Sequence, residues 1–211
     1  AHKLAEKGYD LILTGRRMKE LETVAENISD AFRVKVKILI GDLSDATSRK
    51  EISEIIKSAG KIDILVNNAG FGIDHAFHRI GVEDIRSMVM THDLAAVEFI
   101  HAALPGMMSR RKGTIINVSS IGLFFPGFTR SLYLATKSFL HYFTKALSLE
   151  VYPYGIRLQS LALLKEEVLN NEFPDHKSNI HCLVPLLTSL EETSFRQPAL
   201  ARFAFHGYGL S

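Results

Sequence analysis

This sequence has few of the features that mark secreted, membrane or nucleic-acid-binding proteins. It contains one cysteine among 211 residues, which excludes an internal disulfide and favours a reducing, cytoplasmic location. No apolar run reaches the roughly 18 residues that suggest a membrane span, and no signal peptide is recognisable. The formal charge is only +2 at pH 7 and the basic residues are scattered, which argues against a nucleic-acid partner.

What is present is ordinary for a soluble enzyme of one domain, and short apolar segments alternate with longer amphipathic ones. The pattern predicts strands at 10–14, 34–40, 62–66, 114–118 and 156–162, and helices at 18–28, 46–59, 82–108 (broken once) and 131–151. Strands that are apolar throughout are typical of a parallel sheet covered on both faces. We therefore predict a doubly wound α/β fold, whose ligands bind beyond the carboxyl ends of the strands.

Tyr133 and Lys137 lie four residues apart in the last predicted helix, and Ser120 lies thirteen residues before the tyrosine. This spacing puts the tyrosine and lysine on one helix face, where the ammonium can stabilise a phenolate. Lowering a tyrosine pKa from about 10 to about 7 takes roughly 4 kcal/mol, which one close cation and a cationic cofactor can supply. The serine would polarise the substrate oxygen. Taken alone, the pair is more often a half-buried tyrosine beside a solvated lysine.

Two predicted strand ends carry candidate cofactor residues. The first strand ends in Gly15-Arg16-Arg17, without the acid that holds an adenosine ribose diol. Arg16 offers a planar donor fork to a 2′-phosphate, which favours NADP(H) over NAD(H), although a solvated arginine at a helix start is the alternative. Asp42, after the second strand, either accepts from an adenine amino group or caps the next helix.

Three linked motifs resemble those of the short-chain dehydrogenase/reductase family: Asn67-Asn-Ala-Gly70, Asn117-Val-Ser-Ser120 and Tyr133-Leu-Ala-Thr-Lys137. The resemblance covers residues 1 to about 162 and implies a Rossmann-type fold and a nicotinamide cofactor. It implies that Tyr133 is the acid/base, that Lys137 lowers its pKa and holds the nicotinamide ribose, and that Ser120 orients the substrate oxygen. The cofactor-contacting positions it implies are Arg16, Asp42, Leu43, Asn68, Ala69, Gly70, Tyr133 and Lys137.

The N-terminal end departs from the family pattern. Residues 1–8 read as the end of a helix closing on Gly8, so we expect a segment to be missing upstream. The family's first strand and its Thr-Gly-x-x-x-Gly-x-Gly turn, which cradles the pyrophosphate, are absent from this sequence. That strand would be central, between the first and third strands predicted here, and its loss would leave two inner sheet edges without backbone partners.

Other departures concern the catalytic surroundings and the C-terminal end. Asp93 occupies the position where many members have an asparagine that holds a relay water, and His92 could intrude there. Leu163 and Leu164 replace the family's Pro-Gly, and Val168 replaces a threonine that contacts the carboxamide. We therefore predict an incomplete domain over 1–165 and a divergent, poorly ordered segment of the same domain over 166–211.

Weaker features suggest the substrate and the assembly. Phe124, Phe125 and Phe128 would lie beside the active site and suggest an apolar carbonyl, such as a steroid, fatty acyl or aryl ketone, or else plain loop packing. His75 and His78 lack a completing ligand, so no metal is expected. The resemblance implies a homodimer or homotetramer formed through helices 82–108 and 131–151.

The leading functional prediction is an oxidoreductase that transfers a hydride between NADP(H) and a carbonyl or secondary alcohol. The alternative is a catalytically impaired, truncated paralogue or a non-catalytic binding protein, because the pyrophosphate turn and the Pro-Gly are absent. A serine hydrolase is disfavoured, since no Gly-x-Ser-x-Gly surrounds Ser120.

Overall fold

All five predicted strands are present in the structure, a computed structural model that describes residues 1–124 and 129–163. They are β1 (Leu11–Gly15), β2 (Val36–Ile40), β3 (Ile64–Asn67), β4 (Gly113–Ser120) and β5 (Ile156–Leu163). Every pair of neighbouring strands is parallel, as their apolar character predicts. The predicted segment 166–211 and the residues Phe125 and Phe128 lie outside the described residues.

The helices follow the predicted alternation. They are α1 (His2–Glu6), α2 (Met18–Phe32), α3 (Ala46–Ser58), α4 (Val82–Val89), α5 (Ala95–Arg110) and α6 (Ser131–Val151). The predicted break in helix 82–108 is a π-helical segment, Met90–Leu94, between α4 and α5. α1 ends as predicted, with Gly8 adopting a φ of +81°, a conformation that glycine adopts at little steric cost.

The strands form two separate sheets rather than one. β1 pairs with β2, and β3, β4 and β5 form a three-stranded sheet in that order. Among the described residues β1 and β3 each have one strand partner, so each leaves one edge of its sheet unpaired. The parallel strands and alternating helices agree with the predicted Rossmann-like α/β fold, although β1 and β3 do not pair with each other. The exposed side chains of Ile12 and Val66 lie on these two edge strands.

The main core lies between the three-stranded sheet and helices α5 and α6. Ile100 and Met107 of α5 pack with Ile115 of β4, Val151 and Ile156, and each is buried. Burial of one such side chain stabilises the fold by about 1.5–3 kcal/mol. β4 is buried from its first residue to Ser119, as befits the central strand of the three-stranded sheet.

An amide ladder ties β3 and β4 to α6. Asn67 and Asn117 are register partners at the carboxyl ends of β3 and β4, and the Asn67 amide donates to Asn117 Oδ1 at 2.8 Å. The Asn117 amide donates to Thr144 Oγ1 at 2.7 Å, and this hydroxyl donates to the Leu140 carbonyl. The side chains of Asn67 and Asn117 thus bridge two neighbouring strands and connect them to α6.

A buried arginine joins the loop after β2 to α5. Arg49 Nε donates to Glu98 at 2.9 Å, and its Nη1 donates to the carbonyls of Leu43 and Ser44. The side chain of Leu43 packs in a second core cluster that includes Phe99 of α5. Arg49 therefore fixes the β2–α3 loop, which lies at the carboxyl end of the two-stranded sheet, against the helix that covers the other sheet.

No helix in residues 1–124 and 129–163 combines the length and the apolar character that crossing a bilayer requires.

Replacing Arg49 with methionine should destabilise the protein by about 2–3 kcal/mol. Removing one partner of a buried pair usually costs about 3–5 kcal/mol, and Glu98 is 36% exposed, so water recovers part of the loss. Urea unfolding measures the change. The matched control is Arg86→Met, because Arg86 forms an exposed pair with Glu83 and should contribute only about 0.5 kcal/mol. Equal losses in both variants would contradict an anchoring role for Arg49.

Candidate active site

The catalytic residues that the motifs predict converge where β3, β4 and α6 meet. Ser120 is the last residue of β4, and Tyr133 and Lys137 lie in the first turns of α6. Ser119 Oγ donates to the Lys137 carbonyl at 2.9 Å, which fixes the start of α6 to the end of β4. The three residues, which come from a strand and from the helix that follows it, thereby lie at the carboxyl end of β4 in the larger sheet.

Lys137 is a buried cation beside the candidate tyrosine. The residue is 5% exposed, and its Nζ lies 5.8 Å from the centroid of the Tyr133 ring. Nζ donates to the Val118 carbonyl at 2.9 Å. Burial lowers the pKa of Lys137, and the neighbouring carboxylate of Asp93 acts in the opposite direction. The arrangement places a desolvated positive charge where a phenolate at Tyr133 would form.

Ser120 is held at the start of a short turn that packs on α6. Its Oγ accepts from the Gly122 N–H at 3.2 Å. A Cβ at Gly122 would come within 2.9 Å of Leu134 Cδ2 and 3.4 Å of Ser120 Oγ, so a larger residue there would require the Leu134 side chain to shift. The turn therefore fixes the serine side chain close to the first turn of α6.

The loop of residues 68–70, called the β3 loop from here on, is exposed and lies against the buried lysine. A Cβ at Gly70 would come within 3.4 Å of Lys137 Nζ and 3.0 Å of His92 Nε2. The absence of a side chain therefore lets the backbone of the loop approach the lysine closely. Such an open, side-chain-poor surface next to a cation fits the nicotinamide ribose that the family would hold there.

Arg16 and Asp42 meet at the carboxyl end of the two-stranded sheet. Arg16 Nη1 lies 3.7 Å from Asp42 Oδ2, and the arginine side chain is 62% exposed. Hydrogen bonds from the backbone and hydroxyl of Ser44, aided by Arg16, lower the pKa of Asp42. The alternative role of Asp42 as a helix cap is wrong, because Asp45 accepts from the Ser48 N–H and caps α3.

Other predicted residues reach the site only in part. The Leu43 side chain is in the core, so a cofactor contact there would fall to its backbone. Phe124 is 58% exposed, and its ring packs edge-on against His141 at 5.8 Å. Leu163 ends β5, while its side chain, Leu164 and Val168 lie outside the described residues. The described part of the chain holds no group of three His, Cys, Asp or Glu side chains suited to a metal ion.

Asp93 and His92 form an unusual neighbouring pair in the π-helical segment. Asp93 Oδ1 is buried without a hydrogen-bond partner among the described residues. Burial raises the pKa of Asp93 to about 7, against the opposing charge of Lys137. Burial and the charge of Lys137 lower the pKa of His92 to about 4. The His92 ring lies beside Tyr133, with the two ring centroids 5.9 Å apart in a T-shaped arrangement, and its intrusion into a proton relay stays a prediction.

Two polar residues with structural roles were not predicted, Arg49 and Thr136. Each acts through partners distant in sequence, as Arg49 does with Glu98 and Thr136 with His92. A polar residue on the apolar face of an amphipathic helix is the only local signal that marks Arg49 and Thr136.

Comparison with known proteins gives the family. A family model described as short chain dehydrogenase matches residues 1–164. The human protein named inactive hydroxysteroid dehydrogenase-like protein 1 is 33% identical over 76% of this chain and 49% of its own length. The 3-ketodihydrosphingosine reductase of Bacteroides thetaiotaomicron is 32% identical over 84% of this chain and 61% of its own.

A solved structure extends the comparison to the fold. The short-chain dehydrogenase from Sphingobium yanoikuyae, in complex with NADPH, matches with a TM-score of 0.73 and 30% identity, over 75% of this chain and 63% of its own. The chain spans about half the length of the hydroxysteroid dehydrogenase-like relatives that it matches. With the family model matching residues 1–164, the chain belongs to the short-chain dehydrogenase family.

Proposed function

We propose that this protein is an NADP(H)-dependent oxidoreductase that interconverts a carbonyl and a secondary alcohol. The observation that carries the proposal is the buried ammonium of Lys137, held by the Val118 carbonyl beside the Tyr133 ring. A buried cation next to a tyrosine favours its phenolate, so the tyrosine can transfer a proton near neutral pH. This arrangement suits proton transfer to a substrate oxygen, and ester hydrolysis is disfavoured because no Gly-x-Ser-x-Gly surrounds Ser120.

Each catalytic residue then has one task. Tyr133 donates a proton to the carbonyl oxygen during reduction and removes it during oxidation. Ser120 hydrogen-bonds that oxygen from the end of β4 and orients it. Lys137 stabilises the phenolate and binds the nicotinamide ribose. The coenzyme, when bound, supplies or accepts the hydride at the substrate carbon.

The coenzyme residues divide between the two sheets. The backbone of the β3 loop and Lys137 would hold the nicotinamide half. Arg16, which is exposed at the end of β1, would bind the 2′-phosphate, and Asp42 and the backbone of Leu43 would contact the adenine. The NADPH named for the Sphingobium structure supports the choice of coenzyme.

The proposal also includes a substrate class, an oligomeric state and a cellular location. An exposed Phe124 and relatives named for a hydroxysteroid and a ketosphingoid base support an apolar ketone or alcohol. The exposed apolar side chains of Phe139, Tyr142 and Leu149 on α6 support a homodimer or homotetramer through α6 and the helices over 82–108. The single cysteine supports a cytoplasmic location.

A second candidate function is a catalytically impaired, truncated paralogue or a non-catalytic binding protein. The observation that favours it is the split sheet, since β1 and β3 do not pair and the two halves of the coenzyme site lie on different sheets. The similarity to a human protein named as inactive points the same way. In this case NADPH binding, substrate turnover or both would be lost although Tyr133 and Lys137 are present.

Activity measurement separates the two candidates. The protein should oxidise NADPH in the presence of one or more members of a panel of steroid, acyl and aryl ketones. Tyr133→Phe should lower kcat by about 10²–10⁴-fold, because it removes the proton donor, and should leave NADPH affinity nearly unchanged. Tyr142→Phe is the matched control, since that tyrosine is exposed on the same helix. NADPH binding without turnover of any ketone would favour the second candidate, and a folded chain without NADPH affinity would contradict the first.

Arg16→Ala should weaken NADPH binding by about 10–100-fold, the effect of losing charge-assisted hydrogen bonds to a phosphate, and should leave NADH binding unchanged. Fluorescence titration with each coenzyme measures both affinities. Arg17→Ala is the matched control, because its guanidinium pairs with Glu20 at 3.4 Å on the neighbouring helix. Equal weakening by both variants would mean that general charge, rather than Arg16, selects the phosphate.

Asp93→Asn should stabilise the protein more at pH 8 than at pH 5, by about 2 kcal/mol. The pKa of Asp93 in the folded protein, about 7, is above its ordinary value of 3.8. The protonated form therefore stabilises the fold below 3.8, and this contribution is lost as pH rises through 7. Urea unfolding at the two pH values measures it, with the exposed Asp30→Asn as control. A gain that does not change with pH would show that Asp93 is already ionised at pH 5.

A further inference from the structure

His92 belongs to neither the catalytic nor the coenzyme residues, yet both of its ring nitrogens are engaged. It lies in the π-helical segment, and the residue is 1% exposed. The Phe71 N–H donates to Nε2 at 2.9 Å, and Nδ1 lies 2.9 Å from Thr136 Oγ1. Because buried polar groups need partners, an engaged ring of this kind is held in one orientation.

The partners fix the tautomer from both sides. A backbone N–H can only donate, so Nε2 must accept and carries no proton. The Thr136 hydroxyl donates its one proton to the Tyr133 carbonyl at 2.8 Å, so it must accept from Nδ1. Both arguments give the neutral ring protonated on Nδ1. The result is one directed chain from the Phe71 N–H through the imidazole to the backbone of Tyr133.

This chain of hydrogen bonds connects the β3 loop to α6, and these are the two parts of the site whose relative position must be kept. Phe71 directly follows the β3 loop, and Thr136 is adjacent to Lys137 in α6. The ring is also packed edge-on between Phe71 at 5.5 Å and Tyr133 at 5.9 Å. Gly70 leaves it room, since a Cβ there would come within 3.0 Å of Nε2.

We propose that His92 is a positioning residue whose Nδ1-protonated imidazole clamps the β3 loop to the catalytic helix α6. The clamp sets the distance between the loop that would bind the nicotinamide half and the Tyr133–Lys137 pair. Its functional consequence rests on the proposed coenzyme site, whereas its structural part does not.

The charge state of the ring decides whether the clamp is closed. A proton on Nε2 would remove the acceptor for the Phe71 N–H and place a second cation beside Lys137. The charged or titratable groups near the ring are Lys137 and Tyr133 from α6 and Asp93 from its own segment. Burial and Lys137 hold the pKa of His92 at about 4. The clamp is therefore closed throughout the neutral range and opens only in acid.

The first test reads the tautomer in the unmodified chain at pH 7 from the nitrogen chemical shifts of the His92 ring. The expected result is a protonated Nδ1 and an unprotonated Nε2. A ring protonated on Nε2, or on both nitrogens, would overturn the proposal, because neither form can accept from the Phe71 N–H. This measurement needs neither coenzyme nor activity.

The second test uses three variants and amide hydrogen exchange. His92→Leu removes both bonds, Thr136→Val removes only the bond to α6, and His92→Gln supplies an amide oxygen that can accept from the Phe71 N–H. Protection of the Phe71 amide should fall about tenfold in His92→Leu and should recover in His92→Gln. Exposed His2→Leu is the control and should change nothing. Unchanged protection in His92→Leu would contradict the clamp.

NADPH titration of the same variants tests the functional part. Both His92→Leu and Thr136→Val should weaken NADPH binding about tenfold, and wild-type affinity in both would overturn a role in coenzyme positioning. If His92→Leu does not fold, the tautomer measurement still tests the structural part of the proposal, and NADPH titration of Thr136→Val still tests the functional part. A wild-type chain that binds no NADPH would defeat the proposed function alone, since the exchange and tautomer results report the clamp independently.

Discussion

The burial of the Lys137 ammonium is the constraint on which the rest of the site depends. Moving a cation out of water costs several kcal/mol unless nearby dipoles and charges replace the solvent. Here the Val118 carbonyl accepts from Nζ, and the Tyr133 ring lies within 5.8 Å. A glycine at position 70 lets the β3 loop close over the cation, with only 3.4 Å between Nζ and the place of a Cβ. The same desolvation that makes the lysine costly makes it an effective stabiliser of a phenolate.

Burial shifts the pKa values of the two neighbours of Lys137 in opposite directions, whereas the charge of Lys137 lowers both. Burial disfavours the charged form of each, so the pKa of Asp93 rises to about 7 and that of His92 falls to about 4. Between about pH 4 and 6.5 folding removes a proton from the histidine and gives one to the aspartic acid. The two contributions to the pH dependence of unfolding cancel in that window. Above that window only the aspartic acid contributes. Within it, the pH dependence of wild-type stability reveals neither of the two pKa shifts.

Local patterns predicted the fold and the catalytic set, whereas contacts between distant segments were not predictable. The apolar run of β4 and the four-residue spacing of Tyr133 and Lys137 are properties of short stretches, and the structure agrees with both. Arg49 and His92 work through partners 49 and 44 residues away. No local sequence pattern identifies those partners. The direction of the hydrogen bonds can be assigned only once the folded backbone is known. The sequence could not decide whether Asp42 caps α3, because Asp45 lies nearby and could cap the same helix.

The residues proposed for proton transfer and those proposed for coenzyme selection lie on different sheets. Ser120, Tyr133 and Lys137 are all positioned by the three-stranded sheet and α6, and neither of the unpaired strand edges contributes a side chain to them. Arg16 and Asp42, in contrast, lie at the end of the two-stranded sheet. The contact that joins the halves is the packing of Leu43 and Ile52 on Phe99, reinforced by Arg49. A dinucleotide must span both halves, so the gap between β1 and β3 bears on coenzyme binding far more than on the proton-transfer group.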